Sequence, residues 1–188
     1  MSDRPFPQVK VRRDVACQSK RDGRRPVLIV VHSTEGQNQM RSIRDLEGLA
    51  AFFDRLPTQA SAHVATDADG FSARMVPDSR KAWSCVDYNA ISLNIEQIGF
   101  AVQKTWKDAE LRETARWIAR WHREHHIPIQ RGAVLAGGKI KPGVVGHQEL
   151  GELGGGHHDP ANPFPGSYPL TRVLELAHHY VRLQEAAA

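Results

Sequence analysis

Residues 27–31 read Val-Leu-Ile-Val-Val, an uninterrupted apolar run set off by Pro26. Branching at Cβ restricts χ1 and suits the pleated backbone of a strand. A strand alternating polar and apolar residues buries one face, whereas one apolar at every position must be covered on both. The run therefore demands a central strand with helices packed above and below, which restricts the chain to α/β architectures. A chain of 188 residues, 40% of them hydrophobic, has apolar surface for one such domain and little left for a second.

Helical periodicity appears three times. Over 40–56, Ile43, Leu46, Leu49, Ala50 and Phe53 recur at three- and four-residue spacing, and Pro57 closes the segment. Over 109–125 the stripe is Leu111, Ala115, Ile118, Trp121 or His122, and His125, with Pro128 beyond its end. Over 170–183 it is Val173, Leu174, Ala177, Tyr180 and Val181. Short strands are predicted at 62–66 and 71–76, flanking the turn Asp67-Ala68-Asp69-Gly70. Another lies at 91–98, where alternation puts Leu93 and Ile95 on one face. The expected fold is an α/β domain with a mixed central β-sheet flanked by helices. Residues 1–25, polar, basic and holding Pro5 and Pro7, read as an extended or partly ordered arm, leaving 26–188 as a single domain. Between 132 and 169 lie ten glycines and five prolines, a stretch too long for a plain connection in a small domain and so expected to be functional.

Composition excludes several classes. No apolar run approaches the roughly 18 residues of a membrane span, so no membrane insertion is expected. Residues 1–10 lack the apolar core of a secretory signal, which predicts synthesis in the cytoplasm. The formal net charge of +4 favours approach to anionic polymers. The early basic residues (Lys10, Arg12, Arg13, Lys20, Arg21, Arg24 and Arg25) read as a solvated leader, with no specific nucleic-acid partner. Cys17 and Cys85 are far apart and expected as reduced thiols, and a monomer is the default.

Ten histidines are the more informative feature. A catalytic zinc site takes three His, Cys or carboxylate ligands and leaves one position for water. His32 ends the buried strand, where a rigid backbone suits a ligand. His147 ends the short apolar run of Val144-Val145-Gly146, and Asp159 follows twelve residues later in Gly156-His157-His158-Asp159-Pro160. Taken alone, each histidine reads equally as a hydrogen-bonded rim residue or a flexible-loop residue, so spacing leaves metal binding open.

Five runs add a second line of argument: VVHST at 30–34, SAHVATDADG at 61–70, AWSCVDYNAISLNIEQIG at 82–99, GHQEL at 146–150 and HHDPANPFP at 157–165. In this order and spacing they resemble the type-2 N-acetylmuramoyl-L-alanine amidases, the family of peptidoglycan recognition proteins and many phage endolysins. The resemblance extends over residues 26–182. It implies that His32, His147 and Asp159 hold Zn2+ and that Glu96 is the carboxylate working beside it. It implies that His157 stands where many members carry lysine, as an oxyanion donor. His63 and Asn89 fall at the substrate cleft and its rim, and Trp83, on the cleft loop, is a candidate to stack on a glycan.

There are departures. Ala62 replaces a tyrosine that some members place before His63, which excludes a tyrosine-based mechanism, and Ser84-Cys85 stand where an AWHAG-like run is common. The implied function is zinc-dependent hydrolysis of the bond between N-acetylmuramic acid and L-alanine of peptidoglycan, in a phage endolysin acting on the wall after release. The alternatives are a non-catalytic peptidoglycan-binding module, disfavoured because all three ligand positions carry competent residues, and a cytosolic muropeptide-recycling amidase.

Overall fold

The computed structural model describes residues 4–35, 43–103, 105–160 and 168–187. The expected start of the first helix at 40–42 and the end of the last run at 161–165 lie outside them. The apolar run becomes β3 (Leu28–Ser33), buried at every position. It lies between β7 (Ser92–Gln97) and β10 (Gly143–Gly146), parallel to both. The sheet continues from β7 through β4 (Val64–Thr66) and β5 (Ser72–Arg74) to β1 (Val9–Arg12) at the far edge. All its pairs are parallel except β4 with β5. That pair is a hairpin closed by the predicted turn, in which the Asp67 carboxylate accepts the N–H groups of Asp69 and Phe71 at 3.1 and 2.9 Å.

Strand alternation sorts the core into two faces. Ile29, Val31, Leu93, Ile95 and Val64 point one way and pack on α2 (Asp108–His125) and α3 (Leu170–Ala186), among the fully buried Trp117, Trp121 and Tyr180. Leu28 and Val30 point the other way, onto Cys85, Tyr88, Val145 and Leu150. Farther along that second face, α1 (Ile43–Phe53) covers Ala65 and Ala73 with Leu46, Ala50 and Phe53. Helices thus cover both faces, as the apolar run required. No helix among the described residues is long and apolar enough to cross a membrane.

Two expectations change. The segment read as an arm is woven into the domain: β1 pairs with β5, and β2 (Gln18–Lys20) forms an antiparallel ribbon with β6 (Arg80–Ala82). Val15 and Cys17 are fully buried, and Arg21, 6% exposed, donates to the carbonyls of Asp78, Ala90 and Ser92. An edge strand buries few side chains and a buried arginine scores as polar, so composition hides both. The 132–169 stretch also contains structure, namely β10 and the small hairpin of β8 (Ala133–Val134) and β9 (Ile140–Lys141). Cys17 and Cys85 are free thiols, as expected.

Candidate functional site

Parallel strands that end at one edge deliver their last side chains to one place. In the β3–β7 register, His32 pairs with Glu96 and Val30 with Asn94. Residues two apart share a face, so Asn94 and Glu96 emerge with His32 on the face away from α2 and α3. His147 follows Gly146, whose register partner is Val31, and this sets the second imidazole beside the first. Asp159 arrives on the following loop. Its backbone carbonyl accepts Gln148 N–H at 2.9 Å, and its Oδ2 accepts Ser33 N–H at 3.2 Å. His32, His147 and Asp159 are 2%, 3% and 4% exposed, and one donor atom from each falls within 4.8 Å of the others.

The outer hydrogen bonds decide which ring atoms face inward. His32 Nε2 donates to Asn94 Oδ1 at 2.9 Å, and His147 Nε2 donates to the Gly154 carbonyl at 2.9 Å. A neutral imidazole carries one proton, so each ring's Nδ1 presents a lone pair. The two Nδ1 atoms are 3.0 Å apart, with Asp159 Oδ1 at 3.1 Å from one and Oδ2 at 3.5 Å from the other. Two ring nitrogens and a carboxylate at these separations repel unless a proton or a cation lies among them. Metal–ligand distances of about 2.0–2.1 Å in a tetrahedron put ligand atoms about 3.3 Å apart, close to this spacing. The residues therefore fit a metal ion. Burial alone would raise the Asp159 pKa, but where a ring also carries a proton on Nδ1 it donates to Asp159 instead, and that contact, His147 ahead of His32, outweighs burial and holds the Asp159 carboxyl far below the usual carboxylate range.

Around this cluster opens a cleft of about 520 Å³. Its walls come from the end of β3, from α1, from the loop between β6 and β7, and from the loop carrying Asp159. Glu96 lines it; its Oε2 is buried without a hydrogen-bond partner. Burial first, then the Asp159 carboxylate, pushes the Glu96 pKa up to about 8. His157 stacks on His147 with ring centroids 4.3 Å apart, and its Nδ1 is 3.8 Å from Asp159 Oδ1. Burial, then the neighbouring His147, lowers its pKa, so at neutral pH it is a neutral donor. His158 turns away, toward Glu35, at 3.6 Å. Gly155 is needed at this point: a Cβ there would meet the His157 ring at 2.9 Å, and its φ is +104°.

Trp83 and Asn89 also line the cleft. Asn89 Oδ1 accepts the N–H groups of Ser84 and Cys85 at 2.9 and 2.7 Å, which ties down the rim loop. Trp83 Nε1 donates to Ser19 Oγ at 3.0 Å, in the segment expected to be an arm. His63 does not reach the cleft, contrary to the expectation of a substrate contact. It is fully buried on the α2 side of the sheet, edge-on to Trp121, with Arg21 Nη2 2.8 Å from its Nε2. Burial, then the Arg21 charge, drives its pKa down to about 3. Sequence reading missed Asn94 and Arg21. Alternation along 91–98 would have found Asn94, two residues before Glu96; nothing in the composition marks Arg21.

Comparison with known proteins agrees with this geometry. The profile of the family described as N-acetylmuramoyl-L-alanine amidase matches residues 22–162. No curated protein matches by sequence. Among solved structures, the Staphylococcus aureus hydrolase AmiA in complex with its ligand superposes with a TM-score of 0.66 at 17% identity, over 96% of this chain and 86% of that one. An AmpD derivative superposes at 0.64 and 19% identity, over 89% and 94%. The endolysin amidase LysCS from Clostridium intestinale gives 0.60 and 15%, over 89% and 93%. These structural likenesses concern the fold, while the family profile spans most of the sequence, including His32, His147 and Asp159. The protein is accordingly a peptidoglycan amidase: the chain belongs to the N-acetylmuramoyl-L-alanine amidase family.

Proposed function

We propose that the protein hydrolyses the amide joining the lactyl group of N-acetylmuramic acid to L-alanine, with Zn2+ held by His32, His147 and Asp159. The observation that carries this reading is the convergence of three buried donor atoms within 4.8 Å, beside a carboxylate with an unpartnered oxygen. Two imidazoles and one carboxylate form a donor set that suits zinc and leaves a coordination position for water or substrate. Zinc bound there supplies a Lewis acid that polarises the scissile carbonyl and lowers the pKa of a water to about 7.

The chain's own residues do the rest. Glu96 takes a proton from the attacking water and returns it to the departing alanine nitrogen. Burial keeps the proton affinity of Glu96 high enough for it to act later as acid, while a cation held by His32, His147 and Asp159 would offset the Asp159 charge and favour the ionised Glu96 that accepts this proton. His157 donates a neutral N–H to the carbonyl oxygen as it gains negative charge; one such donor typically contributes about 2.7–4 kcal/mol. Trp83 offers its ring to the glycan, and Asn89 holds the loop that carries it.

We assign the protein a lytic, endolysin-type role on intact wall. In support, its +4 charge favours approach to anionic wall polymers, and endolysins share its fold. Mass spectrometry of purified sacculi after incubation tests both parts. New L-alanine amino termini that vanish with a chelator are expected; cleavage in the glycan or between peptide residues would overturn the assignment. Turnover of soluble anhydro-muropeptides with none on sacculi would replace the lytic role with recycling. His147→Ala should lose activity and bound zinc together, and full zinc occupancy in that variant would refute the ligand set.

A further inference from the structure

Val86 holds a backbone conformation that valine avoids. Its φ is +45°, in the left-handed region, where a β-branched side chain is strained. It opens the 3-10 turn Val86–Ile91 between β6 and β7, and its side chain is 60% exposed in the wall of the cleft. Strain of this kind persists where surrounding contacts enforce it, and it clusters at ligand-binding sites. The enforcing neighbours here include the Asn89 side chain, which accepts the N–H groups of Ser84 and Cys85 just before the strained residue.

The position relative to the chemistry is defined by a bare strip of backbone. A Cβ built on Gly155 would lie 3.4 Å from Val86 Cγ2 and 2.9 Å from the ring of His157, which itself stacks on His147. Val86, Gly155, His157 and His147 therefore follow one another along the wall. An isopropyl group left in water, one glycine away from the catalytic histidine, is an apolar surface awaiting an apolar contact. On either side of the scissile amide the substrate carries one methyl group, on the lactyl carbon and on the alanine α-carbon.

Resting on the amidase reading above, we infer that Val86 is a specificity-determining residue that receives a methyl group flanking the scissile bond. Burying one methyl against it gives about fourfold in kcat/KM, rising to about tenfold in a well-fitted pocket. Two substrate pairs distinguish the sources: muramoyl-L-alanine against muramoyl-glycine peptides, and lactyl against glycolyl ethers of the same sugar-peptide. Wild type is expected to favour the methyl-bearing member of one pair by about four- to tenfold. Val86→Gly removes the side chain, and Val86→Asn keeps a side chain tolerant of the left-handed region but polar. In both variants the preference should collapse toward unity. Loop damage alone would slow both members of a pair equally and leave their ratio intact. An unchanged ratio in both variants, or no wild-type preference in either pair, overturns the inference while leaving the amidase reading in place. If wild type cleaves no member of either pair, the amidase reading fails and this inference with it.

Discussion

Replacing Asn94 by alanine should weaken zinc binding about 10- to 100-fold while leaving the three ligands in place. Asn94 is fully buried, and its Oδ1 is the acceptor for His32 Nε2–H at 2.9 Å. Without that acceptor, the metal-free protein has an escape: the imidazole shifts its proton to Nδ1 and donates to Asp159, 3.5 Å away. The zinc-bound protein has none, because Nδ1 must keep its lone pair for the metal. Binding in the variant therefore bears the cost of an orphaned buried donor, about 1–3 kcal/mol. At 1.4 kcal/mol per decade this is roughly 5- to 150-fold, which brackets the usual effect of removing a partner that orients a metal ligand.

The assay is competition for zinc against a chromophoric chelator at fixed pH. Comparing affinity rather than stability matters, because Asn94 also donates to Ser92 Oγ and accepts from the Cys85 thiol, and those losses affect both forms. Asn94→Asp preserves the acceptor and should bind zinc at least as tightly as wild type. Wild-type affinity in Asn94→Ala, or an equal loss in Asn94→Asp, would refute the tautomer argument.

Three further outcomes follow from the same geometry. Glu96→Gln should lower kcat by about 10²–10⁴-fold with zinc content unchanged, measured by metal analysis beside activity on sacculi; near-wild-type turnover would remove Glu96 from the chemistry. Stability should fall as pH drops from about 6.5 toward 3, because the unfolded chain protonates His63 while in the folded one burial first, then the Arg21 and Arg74 charges against Asp78, keep it neutral. Asp78, held down at about 2 by His125 and Arg74 against the effect of burial, adds a loss in the same direction at lower pH. Thermal melts should show the upper part of this slope flattened in His63→Gln; an unchanged slope would place the acid sensitivity elsewhere. Deleting residues 1–25 should abolish cooperative unfolding. The buried Val11 and Val15 alone contribute about 3–6 kcal/mol, a large share of the 5–15 kcal/mol typical of a domain; a cooperative melt near the wild-type temperature would mean that the segment is dispensable.

The fold was legible where periodicity is strong. The all-apolar run required β3 to be central, and the stripes of α2 and α3 bury Leu111, Ala115, Ile118, Trp121, Val173, Ala177 and Tyr180, while Leu174, Val181 and His125 are half-buried. Legibility failed where burial is achieved by few residues. β1 buries Val11 among polar neighbours, and Arg21 is buried by donating to carbonyls that only the folded chain brings together. At the site, the convergence of His32, His147 and Asp159 was anticipated through resemblance, not spacing. The resemblance puts His63 at the cleft, but here its ring is taken up by the buried Arg21, which no motif marks. The backbone N–H of His63 pairs with the Asn94 carbonyl, and its ring turns toward Trp121.

The site divides into two halves with different physical demands. His32, Asn94 and Glu96 belong to adjacent parallel strands, and His147 directly follows a third. These groups inherit the stiffness of the sheet at its carboxyl edge, where α/β proteins characteristically bind ligands. A metal cluster tolerates displacement of only about half an ångström, so strand ends suit it. Asp159, His157, Gly155 and Val86 instead belong to loops, braced by hydrogen bonds such as Ser33 N–H to Asp159. Loops can change length and side chains without disturbing the sheet register. Substitutions at His32 and His147 should therefore remove metal and activity together, whereas those at Val86 should change which substrate is preferred.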